Sequence, residues 1–419
     1  MTDLKRFSFC SILFFLGCLS ALHAQTGSLS PYSRYGIGDL STEGFTYQTA
    51  MGGAGSAIGS AFFINYLNPA SYVYDTTTVF EFGLRAEISS FATSSQSTSA
   101  SSANFSHFCL AFPVIKTHWS AALGLAPVSS VGYDLNLYEN IQNIGVVKNV
   151  YTGTGGLSKV FMGNSFKIAK GLTAGVNISY LFGTIENLKA VEFPYGSNYY
   201  NSKYINSVTV NDFYLNYGLM YQFDLPKNKR LSIGLAGAPD SKTNATNYLT
   251  YYNYTKIGGY EVIKDSIIKD GKARGNIVLP AYYRLGATLS SATNWSASLD
   301  LSMQQWEHFE NFGSADSLVN SYAIQGGGEY RFNKMIVRAG GHYRKNYLEL
   351  RNTPINEYGV SLGMGLVKLL PKRPTSTINL AIEYIHRGTK ENNLLSENYF
   401  RIHLGLTLAD IWFIKYQYD

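Results

Sequence analysis

From Thr78 to the C-terminus of the 419-residue chain, apolar and polar residues alternate in segment after segment. Successive side chains of a β-strand point to opposite faces, so each segment predicts a strand with one apolar and one polar face. This period of two favours an all-β fold over a helical one. The clearest alternating segments are 80–88, 212–223, 295–304 and 400–408.

The links between these segments distinguish a membrane barrel from a soluble β-sandwich, which would show the same alternation. Short links and long polar links strictly alternate along the chain, as in outer-membrane barrels with tight periplasmic turns and long outer loops. The short links lie near 116, 170, 226–229, 293–294, 333–334 and 371–374. The long links lie near 92–103, 133–151, 187–205, 239–275, 309–318, 346–355 and 387–397.

The segments predict a transmembrane antiparallel β-barrel of about 14 strands. An even number lets the chain begin and end on the periplasmic side. Several segments exceed the roughly 10 residues that a tilted membrane strand needs, so we expect the barrel to project above the membrane. The predicted strands lie near 78–92, 103–115, 117–133, 151–168, 171–187, 206–225, 229–239, 275–292, 294–308, 319–333, 335–346, 355–369, 376–387 and 398–413.

Composition agrees with two-faced strands. The chain has 40 glycines, 33 tyrosines and 24 phenylalanines, and only 15% of its residues are charged. A helical membrane protein would be more apolar, and a disordered chain would carry more charge. The net charge of +6 is scattered without a basic run, so no nucleic-acid partner is expected.

The polar strand faces predict a lumen that carries charges of both signs. Such a lumen is expected to be filled by paired side chains or by a plug, because a wide one-sign pore would need charges of one kind. The residues concerned are Glu81, Arg85, Glu87, Asp212, Arg284, Asp300, Glu383 and Arg401.

The N-terminus predicts a cleavable signal peptide over residues 1–24. Lys5 and Arg6 precede an apolar run over 7–22, and Ala-His-Ala ends at Ala24, the expected cleavage position. Alternatively, Cys18 could be a lipidated cysteine, since 15–18 loosely resembles a lipobox. Cleavage leaves Cys109 as the single cysteine, which is expected to be a small buried hydrophobe.

Residues 25–77 have no clean period and predict a plug of short helices and turns, followed by the barrel over 78–419. Small residues are dense over 50–57, where they allow close packing of backbones. Asn68-Pro69 indicates a turn or a helix start.

These features resemble the FadL family of outer-membrane transporters for hydrophobic compounds, in a form common among Bacteroidetes-type bacteria. The resemblance rests on Gly52, Gly53 and Gly55 in a small-residue stretch, followed by Asn68-Pro69-Ala70. It implies a 14-stranded barrel closed by an N-terminal hatch. It also implies that Asn68, Pro69 and Ala70 belong to the moving element, which the glycines allow to repack.

Two further features have competing interpretations. Arg34 in the hatch could bind a ligand carboxylate, or it could pair with Glu81 or Glu87. Tyrosines cluster at 199–200 and 248–254 in long outer links. They could capture apolar molecules, or they could form an interfacial girdle and cross-strand pairs.

The sequence indicates neither catalysis nor a bound cofactor or metal. The glycines at 52–55 lack the Gly-Lys-Ser/Thr of a phosphate loop, and the histidines lack metal-ligand spacing. Nothing local marks a nucleophile. Trp412 and Phe413 close the last predicted strand as an aromatic signal for barrel insertion, although a short tail follows them.

The resemblance therefore predicts passive uptake of long-chain fatty acids or other hydrophobic compounds across a bacterial outer membrane. The expected partners of the protein are fatty acid-like molecules and outer-membrane lipid. The alternative is a barrel that transports nothing and serves as a subunit of an outer-membrane secretion or assembly machine, with outer-membrane protein partners. A general diffusion porin is a third possibility, and the hatch argues against it.

Overall fold

Fourteen antiparallel strands form a closed barrel in the computed structural model, which describes residues 29–41, 44–291, 294–368 and 376–412. The last strand pairs with the first, for example at Phe400 and Ile88, and this pairing closes the sheet. The strands are Thr78–Ala92 (β1), Ser97–Ile115 (β2), Trp119–Ile141 (β3), Gly145–Ala169 (β4), Leu172–Glu192 (β5), Asn201–Leu225 (β6), Lys229–Ala238 with Ser241–Ile257 (β7), Tyr260–Leu279 with Tyr282–Ser291 (β8), Trp295–Gln304 (β9), Ser321–Phe332 (β10), Met335–Leu350 (β11), Thr353–Lys368 (β12), Ser376–Gly388 (β13) and Ser396–Asp410 (β14).

The outer surface of the barrel is an apolar belt. On β14, Ile402, Leu404 and Leu408 are exposed, whereas His403 and Thr407 between them are buried inside. The same alternation recurs around the wall, which is the arrangement of a barrel that spans a membrane. The predicted all-β class and the count of 14 strands are therefore confirmed.

The predicted long link at 239–275 is wrong, because most of it is a β-hairpin. β7 is interrupted at 239–240, and β8 is interrupted at 280–281. Beyond these interruptions the two strands run side by side to the turn between residues 257 and 260. β6 pairs with both halves of β7, so the hairpin extends the wall. Its Tyr and Thr residues favour strands, but together with Asn they make both faces polar, so no hydrophobic period marks the hairpin.

The predicted links at 92–103, 133–151, 187–205 and 346–355 are also largely strand. β3 reaches Ile141, and β4 begins at Gly145. We refer to the end of the barrel that carries these long hairpins as the outer end. The short turns predicted near 116, 170, 226–229 and 333–334 are present at the opposite, inner end.

Residues 29–41 and 44–77, which precede β1, lie inside the barrel. They contain a 3-10 helix Pro31–Arg34, a short strand Asp39–Leu40, an α-helical turn Thr46–Thr49 and a 3-10 helix Pro69–Tyr74. Cys109 is buried where these residues pack on the wall, beside Phe45 and Tyr72. Within the described residues, no helix is long and apolar enough to cross a membrane.

Short elements also occur in the outer links. A 3-10 helix Trp306–His308 and the two-residue strands Glu310–Asn311 and Ser314–Ala315 lie between β9 and β10, and a 3-10 helix Glu391–Asn393 precedes β14. Trp306 is fully buried and stacks on Tyr347 at a centroid distance of 4.3 Å. The predicted signal peptide and Phe413 lie outside the described residues.

Candidate functional site

A ring of inward-facing glycines receives the plug, which we define as residues 44–77. Nine strands of the described wall each place a glycine so close to the plug that a Cβ atom would meet plug atoms at 2.9 Å or less. Because these glycines have no side chain, the plug packs directly on the backbone of the wall. They are Gly163, Gly175, Gly218, Gly234, Gly286, Gly327, Gly340, Gly363 and Gly405.

Sequence reasoning missed this ring, although a signal for it exists. The glycines occupy the polar, inward phase of their strands, where a lumen residue is expected to carry a polar side chain. Glycine inside a strand weakens the strand and commonly marks a close backbone approach. An inward-facing glycine in nine strands of the described wall therefore indicates that another part of the chain packs against the inside of the wall.

Gly52, Gly53 and Gly55 lie in the turn that follows the Thr46–Thr49 helical turn. Their φ angles are +70°, +83° and +126°, which side chains disfavour. A Cβ at Gly52 would also lie 2.4 Å from the backbone nitrogen of Gly341. The backbone N–H of Gly52 donates to Ser361 Oγ at 2.9 Å, so this turn rests on β11 and β12.

A buried charge pair holds the same turn on its other side. Asp300 Oδ2 accepts hydrogen bonds from the backbone nitrogens of Gly55 at 3.2 Å and Ser56 at 2.9 Å. Arg284 Nη1 lies 3.6 Å from Asp300 Oδ2 and donates to the Gly53 carbonyl at 3.3 Å. Both charged side chains are fully buried, so they act as fixed anchors for the plug backbone.

Asn68, Pro69 and Ala70 fasten the plug to the opposite wall. Asn68 caps the Pro69–Tyr74 helix by accepting from Ala70 N at 3.0 Å, and its amide donates to Leu219 O at 3.1 Å. Ser165 Oγ donates to the Ala70 carbonyl at 2.9 Å. This motif therefore joins a helix start in the plug to β4 and β6.

Asn68→Asp is expected to loosen the plug, because the carboxylate keeps the cap but cannot donate to the carbonyls of Leu219 and Leu235. A buried charge facing two carbonyl oxygens should cost about 2–3 kcal/mol. Limited proteolysis of the folded barrel measures this as faster cleavage within 44–77. Asn68→Ser retains a cap without the charge and should be cleaved more slowly than Asn68→Asp; equal rates would contradict the argument.

Arg34 does not form the predicted pair with Glu81 or Glu87. It lies exposed at the end of the Pro31–Arg34 helix. Glu87 instead forms an ion pair with Arg401, and Glu81 accepts a hydrogen bond from Thr407 at 3.0 Å. Both acids thus have a partner on β14, which sequence spacing could not reveal.

The N-terminal segment, residues 29–41, is tied to the wall at β13 and β14. Arg387 Nη1 lies 2.9 Å from Asp39 Oδ1, and Arg387 Nε lies 2.6 Å from Glu397 Oε2. The Tyr32 hydroxyl donates to Leu395 O at 2.8 Å, and burial raises the pKa of Tyr32 to about 12. Arg387 thereby links the segment to two strands of the wall.

The other side of the N-terminal segment pairs with β3. Asp39 and Leu40 form a short antiparallel ladder with Ser130 and Ser129. The backbone N–H of Ser41 continues this contact by donating to Val128 O at 2.9 Å. The segment therefore bridges the lumen between β3 and the β13–β14 wall.

β3 is available for this contact because its ladder with β2 is incomplete. The two strands pair only from Phe108–Leu125 to Ile115–Trp119. Beyond this point, residues 97–107 of β2 and 126–141 of β3 face a gap, which we call the seam. Pro127 stands where the pairing ends, and proline removes a backbone donor from a ladder.

A cavity of 170 Å³ lies behind the seam, between the wall and the plug. Its lining is largely apolar, and Ser106, His107 and Val128 form the side nearest the seam. Within it, Lys159 Nζ lies 5.0 Å from the ring centroid of Tyr66 and 5.8 Å from that of Tyr214. Among the described residues, no carboxylate forms an ion pair with Lys159. Apolar residues of the lining include Ile37, Leu40, Phe45, Leu181, Leu279 and Trp306.

The lumen beside β11 to β14 is polar, as predicted from the charges of both signs. Arg344 lies 3.5 Å from Glu357, and Arg401 lies 3.7 Å from Glu383. Only a small cavity of 80 Å³ remains among these groups. Paired charges therefore fill this side, while the apolar cavity lies on the other.

Solved structures of a FadL homologue and of two toluene transporters share this fold. A FadL homologue from Pseudomonas aeruginosa matches 88% of this chain and 99% of its own, with a TM-score of 0.60 and 11% identity. The Pseudomonas putida toluene transporter TodX matches 90% and 99%, with a TM-score of 0.57 and 17% identity. The Ralstonia pickettii toluene transporter TbuX matches 88% and 99%, with a TM-score of 0.54 and 14% identity.

These likenesses confirm the architecture that the FadL resemblance implied, and at such low identity they show the fold alone. No curated protein matches the chain in sequence. The family model that matches carries a different name, BamG, and it spans residues 4–419. The chain belongs to the BamG family.

Proposed function

We propose that the protein lies in a bacterial outer membrane and takes up hydrophobic compounds that bear a carboxylate, such as fatty acids. The observation that carries this proposal is the apolar cavity with Lys159 inside it and the seam beside it. Export by the predicted signal peptide over 1–24 is part of the proposal, as is the role of residues 25–77 as a hatch.

The cavity offers both interactions that such a molecule needs. Burial of an apolar tail contributes about 25 cal/mol per Å² of surface removed from water. An ammonium group without a neighbouring carboxylate can bind the head group through a charge-assisted hydrogen bond. The fold is also that of the toluene transporters TodX and TbuX, which handle apolar molecules.

The seam offers a sideways path from the cavity into the membrane. Ser106 and Val128 border both the seam and the cavity. We assign the gate to the N-terminal segment and to the plug turns that contain Gly52, Gly53, Gly55 and Asn68–Ala70. Passage then requires the segment to leave the edge of β3 while the barrel wall stays closed elsewhere.

Lys159→Met is expected to weaken binding of a long-chain carboxylate about tenfold or more, because a hydrogen bond to a charged group contributes about 1.5–3 kcal/mol. Binding of the matching fatty alcohol should change little. Calorimetry on the detergent-solubilised barrel measures both dissociation constants.

Lys272→Met is the matched control, since Lys272 also lies over a tyrosine, 5.4 Å from the Tyr248 centroid, but in the projecting hairpin. It should leave both dissociation constants unchanged. Equal weakening of acid and alcohol by Lys159→Met would remove the assigned role of the ammonium group.

A second candidate function is that of a subunit of an outer-membrane assembly or secretion machine. The family name BamG hints at this function. The polar, charge-filled lumen beside β11–β14 and the long hairpin of β7 and β8 are also compatible with a barrel that docks a partner. An extended exposed element is a common site of recognition.

Mass spectrometry of the protein extracted from its own membrane in mild detergent separates the two functions. Uptake predicts a bound carboxylate amphiphile, whether or not a protein co-purifies. A stoichiometric protein partner without a specific small molecule would instead support the machine subunit and contradict uptake.

A further inference from the structure

The seam exposes two strand edges whose backbone groups have no ladder partner in the described residues. β2 pairs with β1 along residues 97–107, but its other edge faces the gap. β3 pairs with β4 up to Ile141, and the N-terminal segment covers its other edge only near 128–133. An open edge of this kind is a ready template for another strand.

Part of the open edge of β2 stands at the depth of the apolar belt. In the hydrocarbon region of a membrane, unpaired backbone groups cost several kcal/mol each, so open edges do not face lipid there. The belt residues in the same cross-strand rows as Ser101 and Phe105 are exposed: Leu84, Ile88, Phe400 and Leu404. A hydrogen-bonding occupant therefore satisfies this edge better than lipid does.

The chemistry of the gap identifies the kind of occupant. A hydrocarbon chain or a lipid tail cannot satisfy a row of N–H and C=O groups, and a helix has already used its own. An extended peptide can satisfy them, and Asp39–Leu40 already pairs with β3 in this way. The outward side chains Ser99, Ser101 and Ala103 of β2 are small, so they leave room beside the edge.

We propose that the seam binds an extended segment of a second protein, which adds to the open edge of β2 as a β-strand. Main-chain hydrogen bonds would supply the affinity, as in other cases of strand addition. This inference goes beyond the uptake of hydrophobic compounds. A bound segment covers the sideways path from the cavity, so docking and sideways release exclude one another.

Site-specific photocrosslinking in the native outer membrane tests the proposal. A benzophenone amino acid replaces Ser99, Ser101 or Ala103, one position per variant, in the full-length chain. The expected result is an adduct with one protein, whose attachment point moves by about two residues for each two-residue step along β2. Heat-modifiable migration on gels verifies that each variant has folded.

Val360 and Leu362 provide the matched controls, because they are exposed on the outer surface of β12, which is paired on both sides. A benzophenone amino acid at either control position should give no ordered series of protein adducts. Adducts only with lipid, only with this chain's own N-terminal residues, or with many proteins in no order would each overturn the proposal. Ligand binding and the effect of Lys159→Met would be untouched by that outcome, so the two proposals fail separately.

Discussion

Gly327→Val is expected to unseat the plug while leaving the wall intact. A Cβ at Gly327 would lie 2.3 Å from the carbonyl oxygen of Met51 and 2.7 Å from its Cα. These are backbone atoms of the plug, so no side chain can turn aside to make room. Overpacking of this kind costs about 3 kcal/mol. Planar-bilayer recordings should show a steady ion conductance that the wild-type barrel lacks.

Gly326→Val is the matched control for this experiment. Gly326 is the preceding residue of β10, and the nearest atom to its added Cβ is Leu299 Cδ1 at 3.7 Å. Valine favours strands, so the two substitutions affect β10 alike and differ in the face they crowd. A conductance that rises equally in both variants, or in neither, would contradict the role of the glycine ring.

Arg387→Met is expected to release the N-terminal segment from the wall. The guanidinium contacts Asp39 and Glu397, and Ser30 Oγ accepts from it at 2.9 Å. Removing one partner of a buried pair leaves the other charge uncompensated and costs about 3–5 kcal/mol. We expect faster proteolysis within 29–41 and a lower free energy of unfolding in lipid vesicles.

Arg230→Met is the control for the loss of an ion pair alone. Arg230 lies 2.9 Å from Asp224 at the inner end of the barrel, where both side chains are largely exposed. Such surface pairs contribute about 0–1 kcal/mol, so this variant should behave like wild type. Similar losses in the two variants would show that Arg387 does not act as a buried tether.

The membrane part of the fold was predictable from the sequence because lipid on one side imposes a strict period. The alternation around Phe400–Leu408 identified β14 and its neighbours to within a few residues. Above the membrane, water lies on both faces and this period disappears. The sequence therefore predicts a link where the structure has the strands Ser241–Ile257 and Tyr260–Leu279.

The site was only partly predictable. Gly52 and Asn68 were singled out as hatch residues, and the structure shows how each contacts the wall. Lys159 was missed because its significance depends on Tyr66 and Tyr214, which are distant in sequence and meet only in the closed barrel. The seam was missed for the same reason, since a missing ladder is a property of two strands together.

The glycine ring also constrains the order in which the protein can assemble. Thr46 lies against Gly405 of β14, whereas Tyr72 lies against Gly163 of β4, so the plug contacts both the last strand and the first half of the wall. At these glycines the plug touches the bare backbone of the wall, and β14 closes the sheet by pairing with β1. If the barrel closed first, the folded plug would have to enter a lumen that leaves no space between the plug and the wall. We therefore expect the wall to close around a plug that is already in place, with residues 44–77 folding before the final pairing of β14 with β1.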